Sequence, residues 1–341
     1  NEAFVLRFFY AIIVFMKTTI ISLDALTKNL IDDTFKQGYP IPFPTETVFG
    51  LGAPFDQEAV IKNIFQLKGR PQDNPLIVHV SRIEMIHEIA YVTEDAITLM
   101  NAFFPGPLTL VLKKRENVLD IITAGKDTVA VRMPAHEIAR GFIERYGKPL
   151  VAPSANLSGK PSATHVSHVY DDFHGSIPWI IEGEPTMIGI ESTIVDLTKR
   201  PYTILRPGHI QKHDLEAMLG SVFDGSSSVV APGMIHPHYE PSHPLWILDG
   251  SDEAIIKFMK KKDHAVFIGH QKFMPFMAHM VSLGETEADM MQALYHVLRE
   301  TNALHVDTIY THKINHEAYM NRLMKAAKGN IISLKDSRET S

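Results

Sequence analysis

The feature that most constrains this 341-residue sequence is a break in its hydrophobic pattern between Asp224 and Pro244. The stretch Ala231–Pro244, APGMIHPHYEPSHP, has four prolines and little apolar periodicity, as expected of a linker between folded units. A chain of this length is about right for two domains of roughly 100 to 200 residues each. We therefore predict a first domain over 18–210, a connecting segment with the proline-rich linker over 211–244, and a second domain over 245–335.

On both sides of the linker, short β-branched apolar runs alternate with amphipathic stretches, a pattern typical of α/β units. The expected strands are Leu76–Val80, Leu108–Leu112, Thr128–Met133, Ile194–Leu197, Tyr202–Leu205, Leu245–Leu248, Ala265–Ile268 and Thr308–Thr311. The expected helices are Gln57–Leu67, Glu94–Phe103, Ala135–Tyr146, Glu253–Lys260, Ala288–Thr301 and Glu317–Lys328. The alternation predicts a mixed α/β first domain and a smaller Rossmann-like second domain.

The composition and the absence of common motifs exclude several kinds of functional site. The sequence has no cysteine, which excludes disulfides, thiolate metal sites and a cysteine nucleophile. Its net charge of -6 disfavours a protein that coats nucleic acid by bulk attraction, although a local basic pocket for phosphates is still allowed. Neither a GxGxxG fingerprint at the start of the second domain nor a GxxxxGK[ST] motif is present, so nucleotide binding must depend on other features.

The N-terminal segment Phe4–Met16 is strongly apolar, but its 13 or so residues are fewer than the roughly 20 that a membrane helix needs. The segment contains Arg7 and is not followed by a small-residue cleavage site. We expect Met16 to be the natural start, with a signal peptide or anchor as the alternative. The predicted location is cytoplasmic, without a membrane.

Two polar segments lie in the first quarter of the chain. In Pro42–Gly52 two prolines stiffen a turn that carries two threonine hydroxyls, and the segment alone is compatible with a structural turn. In Lys68–His79 the cations Lys68 and Arg70 lie two residues apart across a glycine, so a turn could direct both at one polyphosphate. The alternative for this second segment is a solvated helix end with cations placed favourably against the helix dipole.

Further polar side chains lie at predicted strand ends. If Val129 and Val131 face the core, strand alternation directs Arg132 toward a surface or a cleft. The segment Val151–Ser162 offers hydroxyl, amide and backbone donors to an anion or a sugar. Two further segments, ESTIVD and LRPG, place Ser192 at the start of one strand and Arg206 at the end of another.

The joint order of these segments is more specific than any one of them. PTETVFGLG, KGRPQDNPLIVHV, FFPGPLTLVL, VAVRMP, APSANLSGKPS, ESTIVD and LRPG together resemble the YrdC-like threonylcarbamoyl-AMP synthase family over about 18–210. The linker pieces APGM and HYEP resemble its longer, two-domain form. The resemblance implies a twisted, open mixed-sheet domain with a cavity and a smaller Rossmann-like C-terminal domain.

The resemblance also implies an activity. Members join L-threonine, bicarbonate or CO2, and ATP into threonylcarbamoyl-AMP and pyrophosphate, and Mg2+ is expected to accompany the ATP. The product supplies the tRNA threonylcarbamoyl-transfer machinery, which modifies the adenosine 3′ of the anticodon. The catalytic candidates are Lys68 and Arg70, and the implied threonine-binding residues are Thr47, His79, Arg132, Ser154 and Ser192. The implied ATP-binding residues are Arg70, Asn74, Thr128, Ala152, Ser162, Arg206 and Tyr239.

Two departures from the family pattern stand out. Phe49 replaces a tyrosine that is common in the family, and the linker lacks the basic residue usual between its methionine and histidine. Three other interpretations remain open: an RNA-binding module, a related protein with a different carbamoyl acceptor, and a metal site formed by His236, His238 and His243. Weak RNA binding is also compatible with the enzyme.

Overall fold

The computed structural model describes residues 16–225 and 239–334, and its secondary structure follows the predicted α/β pattern. The first part has strands β1 (Thr19–Ile21), β2 (Ile41–Phe43), β3 (Gly50–Pro54), β4 (Ile77–His79), β5 (Ala90–Tyr91), β6 (Leu108–Lys114), β7 (Thr128–Arg132), β8 (Leu150–Val151), β9 (Trp179–Ile181), β10 (Thr193–Asp196), β11 (Tyr202–Arg206) and β12 (Val222–Asp224). Its helices are α1 (Lys28–Lys36), α2 (Glu58–Lys68), α3 (Glu84–Ile89), α4 (Glu94–Phe103), α5 (Asp120–Thr123), α6 (Glu137–Tyr146), α7 (Val166–Phe173) and α8 (Lys212–Leu219).

The second part contains a smaller set of elements. Its strands are β13 (Leu245–Asp249), β14 (Ala265–His270), β15 (Met280–Gly284), β16 (Thr308–His312) and β17 (Ile331–Ser333). Its helices are α9 (Asp252–Met259), α10 (Glu287–Glu300) and α11 (Glu317–Ala326), with 3-10 helices at Gln271–Phe276 and Thr301–Ala303. Each strand and helix expected from the sequence is present, with ends that differ by a residue or two.

A large mixed sheet forms the first unit, as predicted. Its strand order is β12-β11-β10-β6-β7-β4-β8-β3-β2, with β5 paired to β6, and both parallel and antiparallel pairs occur. The neighbouring strands β4 and β7 place His79 opposite Arg132 in register. Two residues from distant parts of the sequence thereby become neighbours in the sheet.

The large sheet does not end at residue 210, the predicted end of the first domain. Helix α8 begins with a capping box between Gln211 and Asp214, and β12 pairs in parallel with β11. These capping and pairing interactions make 211–224 part of the first unit, whereas the prediction from sequence placed these residues in the connecting segment.

The second unit has a five-stranded parallel sheet in the order β15-β14-β16-β13-β17, which confirms the Rossmann-like prediction. Helix α10 is held at its start by a capping box between Thr286 and Asp289. Its buried face carries Leu294 and Tyr295, which are 0% exposed and pack in the hydrophobic core.

The two units pack directly against each other. One hydrophobic cluster joins Val48 and Ile190 of the first unit to the core of the second. Arg299 of α10 donates to the Pro161 carbonyl at 2.7 Å and pairs with Asp172 at 2.8 Å. Throughout 16–225 and 239–334, no helix combines the length and apolarity needed to cross a membrane.

We predict that Gly189 is required for this packing. Its φ is +79°, and an added Cβ would lie 2.4 Å from the Gln292 Cα on α10. Gly38 has a similar φ of +87° with open space around it, so Gly38→Ala isolates the backbone strain, about 1–2 kcal/mol. Gly189→Ala should cost a further 1–3 kcal/mol, roughly the range for overpacking, in urea unfolding. Equal losses in the two variants would contradict this role for Gly189.

Candidate active site

A cavity in the large sheet brings most of the predicted site residues together. Its lining includes nine of them: Thr47, Arg70, His79, Arg132, Ala152, Ser154, Ser192, Arg206 and Tyr239. They come from β4, β7 and β11, from segments next to β3, β8 and β10, from the turn after α2 and from the segment before β13, so the fold assembles a site from separate sequence segments.

Arg132 forms the buried centre of one half of the cavity. It is 4% exposed, pairs with the Glu46 carboxylate at 2.7 Å and donates to the Thr47 hydroxyl at 2.8 Å. Burial alone would raise the pKa of Glu46, but the Arg132 charge outweighs it and lowers that pKa. The alternative of an exposed strand arginine is wrong for Arg132, because its guanidinium lines the cavity.

Arg206 and Ser192 form the opposite wall. The Arg206 Nε donates to the Ser192 carbonyl at 3.0 Å and its Nη2 donates to the Ser192 hydroxyl at 3.1 Å. The Ser192 hydroxyl also lies 2.7 Å from the Thr109 hydroxyl. Burial lowers the pKa of Arg206 to about 10 although the Glu191 carboxylate raises it, so the guanidinium is charged at neutral pH.

Arg70 supplies a second cation beside Arg206. Its Nε and Nη2 donate to the carbonyls of Asn74 and Pro75 at 3.3 and 2.9 Å, which holds the half-buried side chain over the cavity. Burial and the nearby Arg206 charge lower the pKa of Arg70 to about 10. Two guanidinium groups that repel each other across one cavity favour binding of a polyanion between them.

His79 is a neutral member of the lining. Burial, followed by the Arg132 charge, lowers the pKa of His79 to about 3. Its Nδ1 lies 3.2 Å from the Ile77 carbonyl and donates to it, which leaves Nε2 as the acceptor nitrogen of the ring.

Four predicted residues do not line the cavity: Lys68, Asn74, Thr128 and Ser162. The buried Lys68 ammonium donates to the carbonyls of Ser154 and Asn156 at 2.6 and 2.5 Å, and so holds the loop that carries Ser154. Asn74 is 2% exposed next to Arg70, whereas Thr128 is half-buried at the start of β7.

Glu46 and Glu191, the two acidic partners of the cavity arginines, were not among the site residues predicted from the sequence. Glu191 lines the cavity and accepts from Ser162 at 2.7 Å. Both glutamates adjoin predicted residues within the motifs PTETVFGLG and ESTIVD. The need to compensate buried arginines was the signal that could have identified them.

Comparison with known proteins agrees with this arrangement. A family described as "Telomere recombination" matches residues 33–208, and "Threonylcarbamoyl-AMP synthase, C-terminal domain" matches 210–328. A threonylcarbamoyl-AMP synthase from Pyrococcus abyssi is 41% identical over 319 residues, covering 88% of this chain and 93% of the relative. The chain belongs to the threonylcarbamoyl-AMP synthase family.

Other members support the same assignment over both units. A relative of the same name from Bacillus subtilis is 39% identical over 86% of this chain and 90% of its own length. The crystal structure of Pyrococcus abyssi Sua5 complexed with L-threonine has a TM-score of 0.84 and 39% identity. It covers 94% of this chain and 98% of that chain, so the synthase-family fold extends over both units.

The alternative of a metal site in the linker combines His243 with His236 and His238, and the last two lie outside the described residues. A different group, His165, His168 and His296, has ligand atoms within 4.8 Å of one another. The Thr164 amide donates to Nδ1 of His168 at 3.2 Å, so the ring proton is on Nε2, which donates to His296 at 3.0 Å. Because that nitrogen has no free lone pair for a metal, this group is best described as a hydrogen-bonded link between α7 and α10.

We predict that Lys68→Met disrupts the cavity through the loop it holds. Loss of the ammonium leaves two carbonyls without their donor, which should cost about 2 kcal/mol of unfolding free energy. Lys62→Met removes an exposed lysine of the same helix and is the matched control. Equal stability of the two variants in urea would rule out this role for Lys68.

A second prediction concerns pH. Because His79 has a pKa near 3 in the folded chain and about 6.5 when unfolded, the unfolded state binds the extra proton as pH falls. The stability contributed by neutral His79 is therefore fully present above about pH 6.5 and is lost as the pH falls toward 3, by roughly 1 kcal/mol at pH 5.5. His79→Gln should reduce the stability loss between pH 7.5 and 5.5 by that amount, whereas His209→Gln, at an exposed position, should not. Identical pH dependence in both variants would exclude a buried neutral His79.

Proposed function

We propose that this chain synthesises threonylcarbamoyl-AMP from L-threonine, bicarbonate or CO2, and ATP. The observation that carries the proposal is one cavity that joins a hydroxyl-rich half around Arg132 to a cationic half around Arg70 and Arg206. An amino acid needs a cation and polar partners, and a triphosphate needs several cations. Membership in the synthase family supports the same reaction.

In the proposed reaction, the threonine amine adds to CO2, loses a proton and becomes a carbamate. A carbamate oxygen then attacks the α-phosphorus of ATP as the bond from that phosphorus to the bridging oxygen breaks, and pyrophosphate leaves. The carbamate carries its own nucleophilic charge, so the attack needs no strong protein base. His79, which is neutral at physiological pH, fits a binding role in this scheme.

We place L-threonine in the half of the cavity around Arg132. The Arg132 guanidinium, oriented by Glu46 and Thr47, would face the threonine carboxylate. His79 and Ser154 would surround its remaining polar groups, and Ser192 would reach them from the opposite wall of the cavity.

We place the ATP polyphosphate between Arg70 and Arg206, with Ala152 and Tyr239 also lining the nucleotide side. Asn74 would support Arg70, whereas Ser162 would act through its hydrogen bond to Glu191. Lys68 would act through the loop that it holds. Catalysis would come from alignment and from neutralisation of developing phosphate charge.

Mg2+ would enter with ATP as part of the substrate. The Glu191 carboxylate lines the cavity, but Ser162, Tyr295 and Arg322 already engage its oxygens. The ATP phosphates therefore fit the role of metal carrier better than this carboxylate does. We also propose that the enzyme works in the cytoplasm, where ATP and bicarbonate are available and downstream tRNA-modifying enzymes can consume the unstable adenylate.

The test is pyrophosphate release from MgATP by the purified chain with bicarbonate, comparing L-threonine, L-serine, other amino acids and none. Threonine-dependent release together with the mass of threonylcarbamoyl-AMP is the expected result. Strong tRNA binding without threonine-dependent ATP consumption would replace the proposal with an RNA-binding function. Release with a different amino acid would indicate a different acceptor.

We predict that Arg70→Ala lowers kcat/KM for ATP by at least about 30-fold, because it removes roughly 2 kcal/mol of charge-assisted stabilisation. Arg82→Ala, at an exposed position outside the cavity, is the control and should retain the wild-type value. Unchanged kcat/KM in the Arg70 variant would remove this residue from the mechanism.

A further inference from the structure

The second unit reaches the cavity wall through a buried carboxylate. Glu191 is 7% exposed and lines the cavity immediately before Ser192. Its Oε1 accepts from the Ser162 hydroxyl at 2.7 Å, and its Oε2 accepts from the Tyr295 hydroxyl at 2.9 Å and from Arg322 Nε at 3.2 Å. Two of these three donors, Tyr295 on α10 and Arg322 on α11, belong to the second unit.

Arg322 joins two segments of the first unit at once. Its side chain is 0% exposed, and its Nη2 donates to the Glu191 carbonyl at 3.2 Å. Its Nη1 donates to the carbonyl of Pro207, the residue after Arg206. Arg206 spans the same two segments from the cavity side through its bonds to Ser192. The two arginines therefore hold 191–192 against 206–207 from opposite sides.

The charges around Glu191 favour a fixed arrangement of its hydrogen-bond donors. Burial would raise the pKa of Glu191, but Arg322 and Arg206 outweigh it and lower that pKa to about 2. Burial and the Glu191 charge raise the pKa of Tyr295 well above its usual value, so its hydroxyl stays a donor. A buried carboxylate that keeps its charge needs each of these donors in place.

Tyr295 also contacts the linker. Its ring stacks on Tyr239, with ring centroids 4.9 Å apart and planes 26° apart. Tyr239 is 4% exposed and lines the cavity beside Arg70 and Arg206. One side chain of the second unit thus touches both the Glu191 carboxylate and an aromatic ring of the cavity lining.

We propose that Tyr295 and Arg322 are positioning residues for the nucleotide half of the site, and that this is the task of the second unit. They hold Glu191, which fixes Ser162 and the Ser192–Arg206 wall, while Tyr295 seats Tyr239 over the cavity. The proposal rests on the synthase activity proposed above. It predicts that changes in the second unit alter nucleotide handling although neither side chain lines the cavity.

The sharpest test is Tyr295→Phe, which removes the hydroxyl but keeps the ring that stacks on Tyr239. Tyr319→Phe is the matched control, because Tyr319 is an equally buried tyrosine of the same core whose hydroxyl makes no hydrogen bond within the described residues. We expect Tyr295→Phe to raise KM for ATP and lower kcat/KM by about 10-fold, the scale of one hydrogen bond to a charged group. Tyr319→Phe should stay within about twofold of wild type, since it leaves Glu191 untouched.

Arg322 adds a second comparison. Arg322→Met should lose more activity than Arg322→Lys, because lysine keeps one charged donor for Glu191 whereas methionine leaves the carboxylate uncompensated. If Arg322→Met does not fold, the comparison of Tyr295→Phe with Tyr319→Phe still tests the positioning role. Circular dichroism and melting temperature of each variant separate a loss of folding from a loss of nucleotide handling.

The outcomes separate this inference from the synthase proposal. Wild-type protein without threonine-dependent pyrophosphate release would overturn the activity, and calorimetric ATP affinity of wild type, Tyr295→Phe and Tyr319→Phe would then decide the inference. Weaker ATP binding or a raised KM in Tyr295→Phe alone supports a positioning role. Equal kinetics and equal ATP affinity in the two tyrosine variants would overturn it and leave these contacts as a structural link between the units.

Discussion

Buried positive charge is the constraint on which the rest of this structure depends. A cavity for an amino acid and a triphosphate needs cations, but a guanidinium removed from water is costly unless it is paired and hydrogen-bonded. Arg132 meets this requirement with Glu46, and Arg206 with the Ser192 carbonyl and the nearby Glu191 charge. Arg70 also lines the cavity and is held there by two backbone carbonyls, and in the proposed reaction it would contact the polyphosphate.

This requirement explains why the second unit is attached so firmly. Glu191 lies between two buried arginines, one from each unit, and the same contact region includes the Tyr239–Tyr295 stack. A carboxylate shared by both units makes their relative position part of the site geometry. Substitutions at the interface are therefore expected to affect chemistry and stability together.

Much of the fold could be predicted from sequence because periodicity reports burial directly. Strands such as Thr128–Arg132 and helices such as Glu94–Phe103 carry strong local patterns and agree with the predictions. Very short strands such as Leu150–Val151 were missed, since two residues carry no periodicity and depend on pairing with β3 and β4. The helix and strand after residue 210 were missed because the family resemblance extends only to about residue 210, and the residues after it were assigned to the connecting segment.

The site was predicted through ordered motifs, and nine of its predicted members do line one cavity. The sequence did not reveal which groups pair with the charged side chains of the site. Lys68 looked like a free cation beside Arg70, but its ammonium is buried against two carbonyls. The contacts of Arg322 and Tyr295 with Glu191 span more than 100 residues and carry no local pattern, so only tertiary structure reveals them.

The central claim is that this cavity joins threonine carbamate to the α-phosphate of ATP, and isotope transfer tests it most directly. Purified chain would be incubated with MgATP, L-threonine and 13C-bicarbonate, and the nucleotide products would be analysed by mass spectrometry. The account predicts an AMP adduct that contains threonine and one 13C carbon, accompanied by pyrophosphate. A threonyl adenylate without the labelled carbon, or ATP consumption that gives no threonine-containing adduct, would contradict it.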